Sequence, residues 1–265
     1  MSSLDLICIT QSHAYERHLS IFKLHSQICK QFGKAISLRL VSDTDSFDCS
    51  KHLLSNYEHD VWSSCIDAIS TILAGNIVAA RHPYISTRGR SAWKKQLLLE
   101  INNLNTYFAP RQLSFSEIDV ACRHYSALQL ASKSNNYSLI LEDDAIPKNN
   151  TFDFLSAFIA SSGSPSLCSH LVFLDMCDYP SILDFLGCSY FTAVTRTLCA
   201  YVVSPRTATL LLQNFSPFSL PVDLHFQYIL SKLSHPGSAA PKGSSFLNGS
   251  LAGYFRSSIL PSLRS

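Results

Sequence analysis

The chain has 265 residues, 46% of them apolar and 15% charged, and a formal net charge of +2. That composition fits one large globular domain, or two small ones, with an ample core, and it excludes a disordered chain. With so small a net charge and no arginine-rich or lysine-rich tract, no nucleic-acid partner is expected.

The first ten residues lack the basic and apolar regions of a secretory leader, so none is expected. The most apolar longer window, 66–80, is interrupted by Asp67, Ser70, Thr71 and Asn76 and falls short of a membrane span. Nine cysteines stand singly, with no Cys-x-x-Cys pair, so a structural zinc site is not expected. An odd, scattered set without an export signal reads as reduced, mostly buried thiols in a cytosol.

Residues 4–10 read as a buried first strand, followed by polar Gln11, Ser12 and His13. A helix is predicted over 16–32, with Leu19, Phe22, Ile28 and Phe32 as its apolar positions. The alternation over 36–41 predicts a second strand. Strand, helix, strand at this spacing predicts a βαβ unit and a parallel sheet, whose ligands bind beyond the carboxyl ends of the strands. Thr10 and its neighbours then lie on that edge. Residues 43–60 read as an exposed connection and 61–74 as a helix. Residues 81–95 hold Arg81, Arg88, Arg90, Lys94 and Lys95 with Tyr84 and Trp93 between them. Such a patch suits a diphosphate, an anionic acceptor or an acidic membrane surface, or is simply a loop entering a helix.

Ser114-Phe115-Ser116-Glu117 fits a capping box, so a helix is predicted from there to about 132. Glu117 and His124 lie two turns apart along one face of it; a lone His on such a helix is usually a hydrogen-bonded structural residue. After an Asn135-Asn136 break, 138–141 reads as a buried strand that ends abruptly in Glu142, Asp143 and Asp144, with Pro147 closing the segment. Three adjacent carboxylates repel one another unless a cation or hydrogen bonds offset them. A hard divalent ion such as Mn²⁺ or Mg²⁺ takes one or two carboxylates together with substrate phosphates. The plain alternative is a solvated turn after a strand.

A short helix is predicted over 151–159, a loop over 161–169 and a strand over 171–175. Asp175 and Asp178 either shape a pocket or cap a turn. In residues 198–205, Ser204 caps a helix rich in Ala and Leu that opens on Pro205. Asp223 opens a further helical pattern and is an N-cap or a functional acid. Past 234 the sequence is rich in Gly, Pro and Ser without strong periodicity, so 236–265 reads as an irregular tail.

Several of these segments resemble the family 25 glycosyltransferases, the lipooligosaccharide biosynthesis type. Glu142-Asp143-Asp144 resembles their Glu-Asp-Asp motif. Glu117, Ile118 and His124 match in register a pattern that those enzymes carry just upstream of it, while Ser116, Asp119, Val120 and Arg123 depart from it. Residues 198–205 look like the family's Ala-Tyr-x-x-Ser segment, Leu220-Pro221-Val222-Asp223 resembles its later Pro-x-Asp element, and Ser257-Ser258-Ile259 echoes a terminal Ser-x-Ile. Arg17 is similar to the arginine after the family's first strand, although Thr10, Gln11 and Ser12 replace the usual signature there.

The resemblance implies an α/β fold, a GT-A-like Rossmann-type nucleotide-binding sheet flanked by helices over 1–235. Residues 1–148 would form the nucleotide-sugar-binding part and 149–235 the acceptor side. It implies inverting transfer of a hexose such as galactose from a UDP-sugar to an oligosaccharide or lipid-linked glycan acceptor. The expected location is cytoplasmic, with peripheral contact at the inner face of the membrane. Thr10, Arg17, Asp143 and Asp144 would bind the nucleotide sugar. Asp144 is the first choice as ligand of Mn²⁺ (or Mg²⁺), with Asp143 on the ribose or a metal-bound water. Glu142, Glu117 and His124 would be motif residues with structural roles, and Asp223 the catalytic base, with Asp175 and His225 behind it. Two other readings stand beside this one. One is a non-catalytic scaffold that binds a sugar nucleotide or a partner. The other is a metal-dependent phosphoester hydrolase, which would need further His and Asp ligands beside these acids.

Overall fold

The computed structural model describes residues 4–33, 36–42, 113–147, 151–161, 170–175, 198–215, 220–223, 225–226, 229 and 247–257. Strand β1 (Leu4–Ile9) leads into helix α1 (Tyr15–Phe32) and strand β2 (Ser37–Val41). Gly33, at φ 64°, ends α1 in the left-handed conformation and donates its N–H to the last turn, a cap that suits a residue without a Cβ. Helix α2 (Phe115–Ser132) follows, then β3 (Tyr137–Glu142), β4 (Ala145–Pro147), α3 (Thr151–Ser161), β5 (His170–Asp175), β6 (Ala200–Val203), α4 (Pro205–Phe215) and β7 (Leu247–Ser257). The capping box of α2 forms as predicted: Ser114 and Glu117 each satisfy the other's backbone N–H. Pro205 opens α4, and the Ser204 side chain accepts from Thr207 N.

The sheet has the order β2-β1-β3-β6-β5-β7-β4. Its first three strands are parallel, with Ile9 in register with both Val41 and Glu142. That register brings the carboxyl ends of β1, β2 and β3 to one edge, the place where open α/β sheets take ligands. The fold is thus a mixed α/β arrangement with a helix-flanked sheet, compatible with a Rossmann-like layout. The sheet is not parallel throughout, because β6 runs antiparallel to both β3 and β5. β1 alternates between two cores. Leu4 and Leu6 join Leu24, Ile28, Leu139, Leu155 and Phe158 on the face that α1 and α3 cover. Ile7 and Ile9 join Val41, Leu128, Ile140, Tyr201, Leu211 and Phe226 beneath α2 and α4. Each fully buried Leu or Ile contributes about 1.5–3 kcal/mol.

Helix α1 lies in a different phase from the predicted one. Ile21, Leu24 and Ile28 face the core, whereas Leu19 and Phe22 are 63% and 50% exposed. The chain carries two apolar stripes there, and the one that lies flat on Leu4 and Leu6 wins. Residues 247–257, read from sequence as part of an irregular tail, form a strand. Their amino-terminal half pairs with β5 and Phe255–Ser257 pair with β4, which sets Ser257 opposite Ala145. Pairing of this kind leaves no helical or alternating apolar signature when both neighbours lie far away in sequence. Cys8, Cys29 and Cys199 are free thiols as expected, but Cys122 is disulfide-bonded. Single spacing in sequence says nothing about which cysteines meet in space. The segments predicted over 43–60, 61–74 and 81–95, and Asp178, lie outside the described residues. Among the described residues, no helix is long and apolar enough to cross a membrane.

At the amino edge of the sheet, Asp5 accepts hydrogen bonds from Ser37 Oγ (2.6 Å), Ser134 Oγ (2.5 Å) and Asn136 Nδ2 (3.2 Å). It thereby joins β1 to β2 and to the α2–β3 connection. Burial pushes this carboxyl up, but the hydrogen bonds and the charge of Arg39 outweigh it and bring its pKa below the ordinary value. A lowered folded pKa stabilises the fold above the unfolded pKa of about 3.9 and ceases to do so as pH falls through the folded value. Asp5→Asn is therefore expected to cost about 1 kcal/mol near neutral pH. The difference from wild type should narrow between neutral pH and acid, as pH falls through the folded value. Urea unfolding at the two pH values checks this; a difference that persists in acid would remove the charge from the explanation.

Candidate functional site

The turn after β1 meets the acidic turn after β3 because the register sets Ile9 beside Glu142. Thr10 is 1% exposed and held on every side. Its N–H donates to Val41 O (2.9 Å), and its carbonyl accepts from Arg123 Nη1 (3.0 Å). Its hydroxyl donates to Asp143 Oδ2 (3.0 Å) and accepts from His18 Nε2 (2.9 Å). The same His18 nitrogen reaches Gln11 O at 3.0 Å, so a shared Nε2–H accounts for both contacts.

Asp143 is the centre of this junction. Its Oδ1 accepts from Arg17 Nη1 at 2.7 Å, a charge-assisted bond from the first turns of α1. Its Oδ2 accepts from Thr10 Oγ1 and from Gln11 N (3.3 Å). The hydrogen bond and charge of Asp143, with a further contribution from Asp144, raise the pKa of Arg17. Asp144, the next turn residue, is 8% exposed. Burial pushes the Cys8 thiol well up, and the charges of Asp143, Glu142 and Asp144 add to that, so this thiol stays protonated and inert beneath the acids.

Glu142 points the other way, toward α2. Its Oε1 lies 3.2 Å from His124 Nε2, and His124 Nδ1 lies 3.1 Å from the Tyr201 hydroxyl on β6. His124 and Tyr201 are 0% exposed, and their rings stack at 5.8 Å between centroids. Phe226 meets both rings edge-on. Burial, reinforced by the Glu142 charge, pushes the Tyr201 phenol well up and keeps it protonated.

The structure thus brings together Thr10, Arg17, Asp143 and Asp144 on one edge, and ties Glu142 to His124 beside them. Glu117 stands apart in the capping box of α2, so its two-turn spacing from His124 does not make the two residues partners. Asp223 is half-buried on the segment that packs through Phe226 against His124 and Tyr201, and among the described residues it is not part of the contacts around Asp143. His225 is 2% exposed, with Nε2 on Phe215 O at 2.7 Å, which makes it a core histidine rather than a reserve base. Asp175 ends β5.

Three contributors were missed from sequence: His18, Arg123 and Tyr201. Arg123 carried a usable signal. It shares a stripe at four-residue intervals with Ala127 and Ala131, both buried, so a charge at that position had to find an internal partner. It finds Asp119, one turn back, and Thr10 O. His18 carried none, and Tyr201 stood only within the Ala-Tyr-x-x-Ser segment without a role, since the partners of both are set by tertiary packing.

As a cation site, the turn offers Asp144 and Asp143, two hard oxygen donors. Among the described residues, no three His, Cys, Asp or Glu side chains converge on one point. A divalent ion of the Mg²⁺ or Mn²⁺ type is compatible with this donor set when substrate phosphates complete its shell. No family model matches the chain, and no curated protein matches it.

Proposed function

We propose that the protein is a glycosyltransferase with a GT-A-like sheet. It would move a hexose such as galactose, with inversion, from a UDP-sugar to an oligosaccharide or lipid-linked glycan acceptor, in the cytoplasm or at the inner face of the membrane. The observation that carries this reading is the junction itself: a buried acidic turn and an arginine meet at the carboxyl edge of three parallel strands. That edge is where an α/β sheet takes a nucleotide, and the acid–arginine pair is the chemistry a metal–diphosphate needs.

In this reading Arg17, 42% exposed in its side chain, turns its free guanidinium edge to the diphosphate while Asp143 holds the other edge. Asp143 fixes the two turns against each other through Arg17, Thr10 and Gln11. Asp144, the neighbouring hard oxygen donor, would hold Mn²⁺ or Mg²⁺. When bound, the ion would offset the charge that builds on the departing diphosphate. Asp223, on the segment that follows α4, would take the proton of the attacking hydroxyl.

A second reading, a non-catalytic scaffold that binds a sugar nucleotide, draws on the saturation of Asp143 by Arg17, Thr10 and Gln11, which makes the junction stable without any ligand. Titration of UDP into the purified protein, with and without Mn²⁺, tests the shared premise. Binding that requires Mn²⁺ is expected, and absence of binding in folded protein rules out a UDP-sugar. Hydrolysis of UDP-hexoses then separates the two readings: turnover supports the transferase, and binding without turnover the scaffold.

A further inference from the structure

The acidic turn contains one carboxylate that the proposed function does not use. Glu142 has one oxygen, Oε1, on His124. Its other oxygen has no hydrogen-bond partner among the described residues, and the side chain is 29% exposed. Behind it His124 is wholly buried, with Tyr201 on its far nitrogen and aromatic rings on its faces. Such an arrangement holds a carboxylate by one oxygen and presents the second.

We propose that Glu142 binds a hydroxyl of the transferred sugar through Oε2, and that His124 and Tyr201 are positioning residues that fix its carboxylate for that contact. This rests on the sugar-transfer reading above. The hydrogen-bond directions are set from the carboxylate end. A carboxylate oxygen only accepts, so His124 Nε2–H donates to Glu142 Oε1, and the neutral ring then accepts at Nδ1 from the Tyr201 hydroxyl. Burial and the neighbouring Glu142 charge keep Tyr201 protonated, so it retains the proton for that bond. The backbone of Glu142 is fixed as well, because its N–H donates to Cys199 O at 2.8 Å. A sugar hydroxyl is a strong donor to a carboxylate. A site built to accept it would discriminate against a ligand that lacks it.

UDP and UDP-hexoses carry the same nucleotide and differ in the sugar, so together they isolate the contact. Each is titrated in Mn²⁺ against wild type, Glu142→Gln and Tyr201→Phe, with thermal melts to confirm folding. Affinity for UDP-galactose or UDP-glucose is expected to fall at least about tenfold in both variants, while affinity for UDP falls less than about twofold. Tyr201→Phe keeps the ring and removes only the hydroxyl, so a purely structural role would spare this sugar-specific difference. Equal losses for UDP and UDP-hexose would overturn the proposal, and so would unchanged UDP-hexose affinity in both variants. If wild type binds neither ligand, the sugar-transfer reading itself falls and takes this inference with it. That outcome is distinct from the others because it appears before any substitution is made.

Discussion

Asp144→Ala is expected to weaken Mn²⁺-dependent UDP binding by about 100-fold or more while leaving the fold intact. Outer-shell partners of a metal alone cost 10–100-fold when removed, and a direct ligand should cost no less. Asp143→Ala makes the necessary comparison. It strips the acceptor from Arg17, Thr10 Oγ1 and Gln11 N together. Stability should fall by about 1–2 kcal/mol. The Arg17 share of that is small, because a side chain 42% exposed is screened by solvent. The two neighbours thus separate by readout. Asp144→Ala is read by the loss of Mn²⁺-dependent binding, whereas Asp143→Ala also releases Arg17, Thr10 and Gln11 and loses stability with them. Titration calorimetry and thermal melts on both variants decide it. If Asp144→Ala retains full Mn²⁺-dependent affinity, Asp144 is not the ligand and the acidic turn is a structural feature of the β3–β4 connection.

The parts of the molecule legible in sequence are those with local causes. The parallel β1–β2 pair, the capped start of α2, the Pro205 opening of α4 and the abrupt end of β3 in acids all follow from spacing, caps and apolar runs. The convergence of Thr10, Arg17 and Asp143 was expected only in outline, from the rule that ligands meet strand ends. The particular bonds depend on a register between β1 and β3 that no local pattern encodes. The phase of α1 was misread because both stripes are apolar, and only the presence of Leu4 and Leu6 below selects between them. The direction of β6 was hidden for a similar reason: a fully buried strand reads the same whether its neighbour runs parallel or antiparallel. His124 was readable as a hydrogen-bonded core histidine, but its partners, Tyr201 and Glu142, come from β6 and the end of β3 and are brought to it only by the sheet.

Phe226→Ala should carry the largest stability cost, about 3–5 kcal/mol. The ring is 0% exposed and packs edge-on against Tyr201 at 5.6 Å, Phe215 at 6.1 Å and His124 at 6.2 Å. It is the point at which the segment that carries Asp223 docks on the core under α2 and α4. Truncation leaves a cavity beside His124 and frees that ring to leave Glu142, so the site should loosen along with the core. Phe226→Leu keeps most of the volume and loses the edge-on contacts. Its cost should be smaller, about 1–2 kcal/mol. Urea unfolding of both variants gives the two numbers. The ratio matters more than either value, because cavity formation predicts a large gap between Ala and Leu, whereas loss of ring–ring contacts alone predicts nearly equal costs. A cost below about 1 kcal/mol for Phe226→Ala would mean that the segment is not docked here. Asp223 would then lose its anchorage to the core, and with it the support for a role as base.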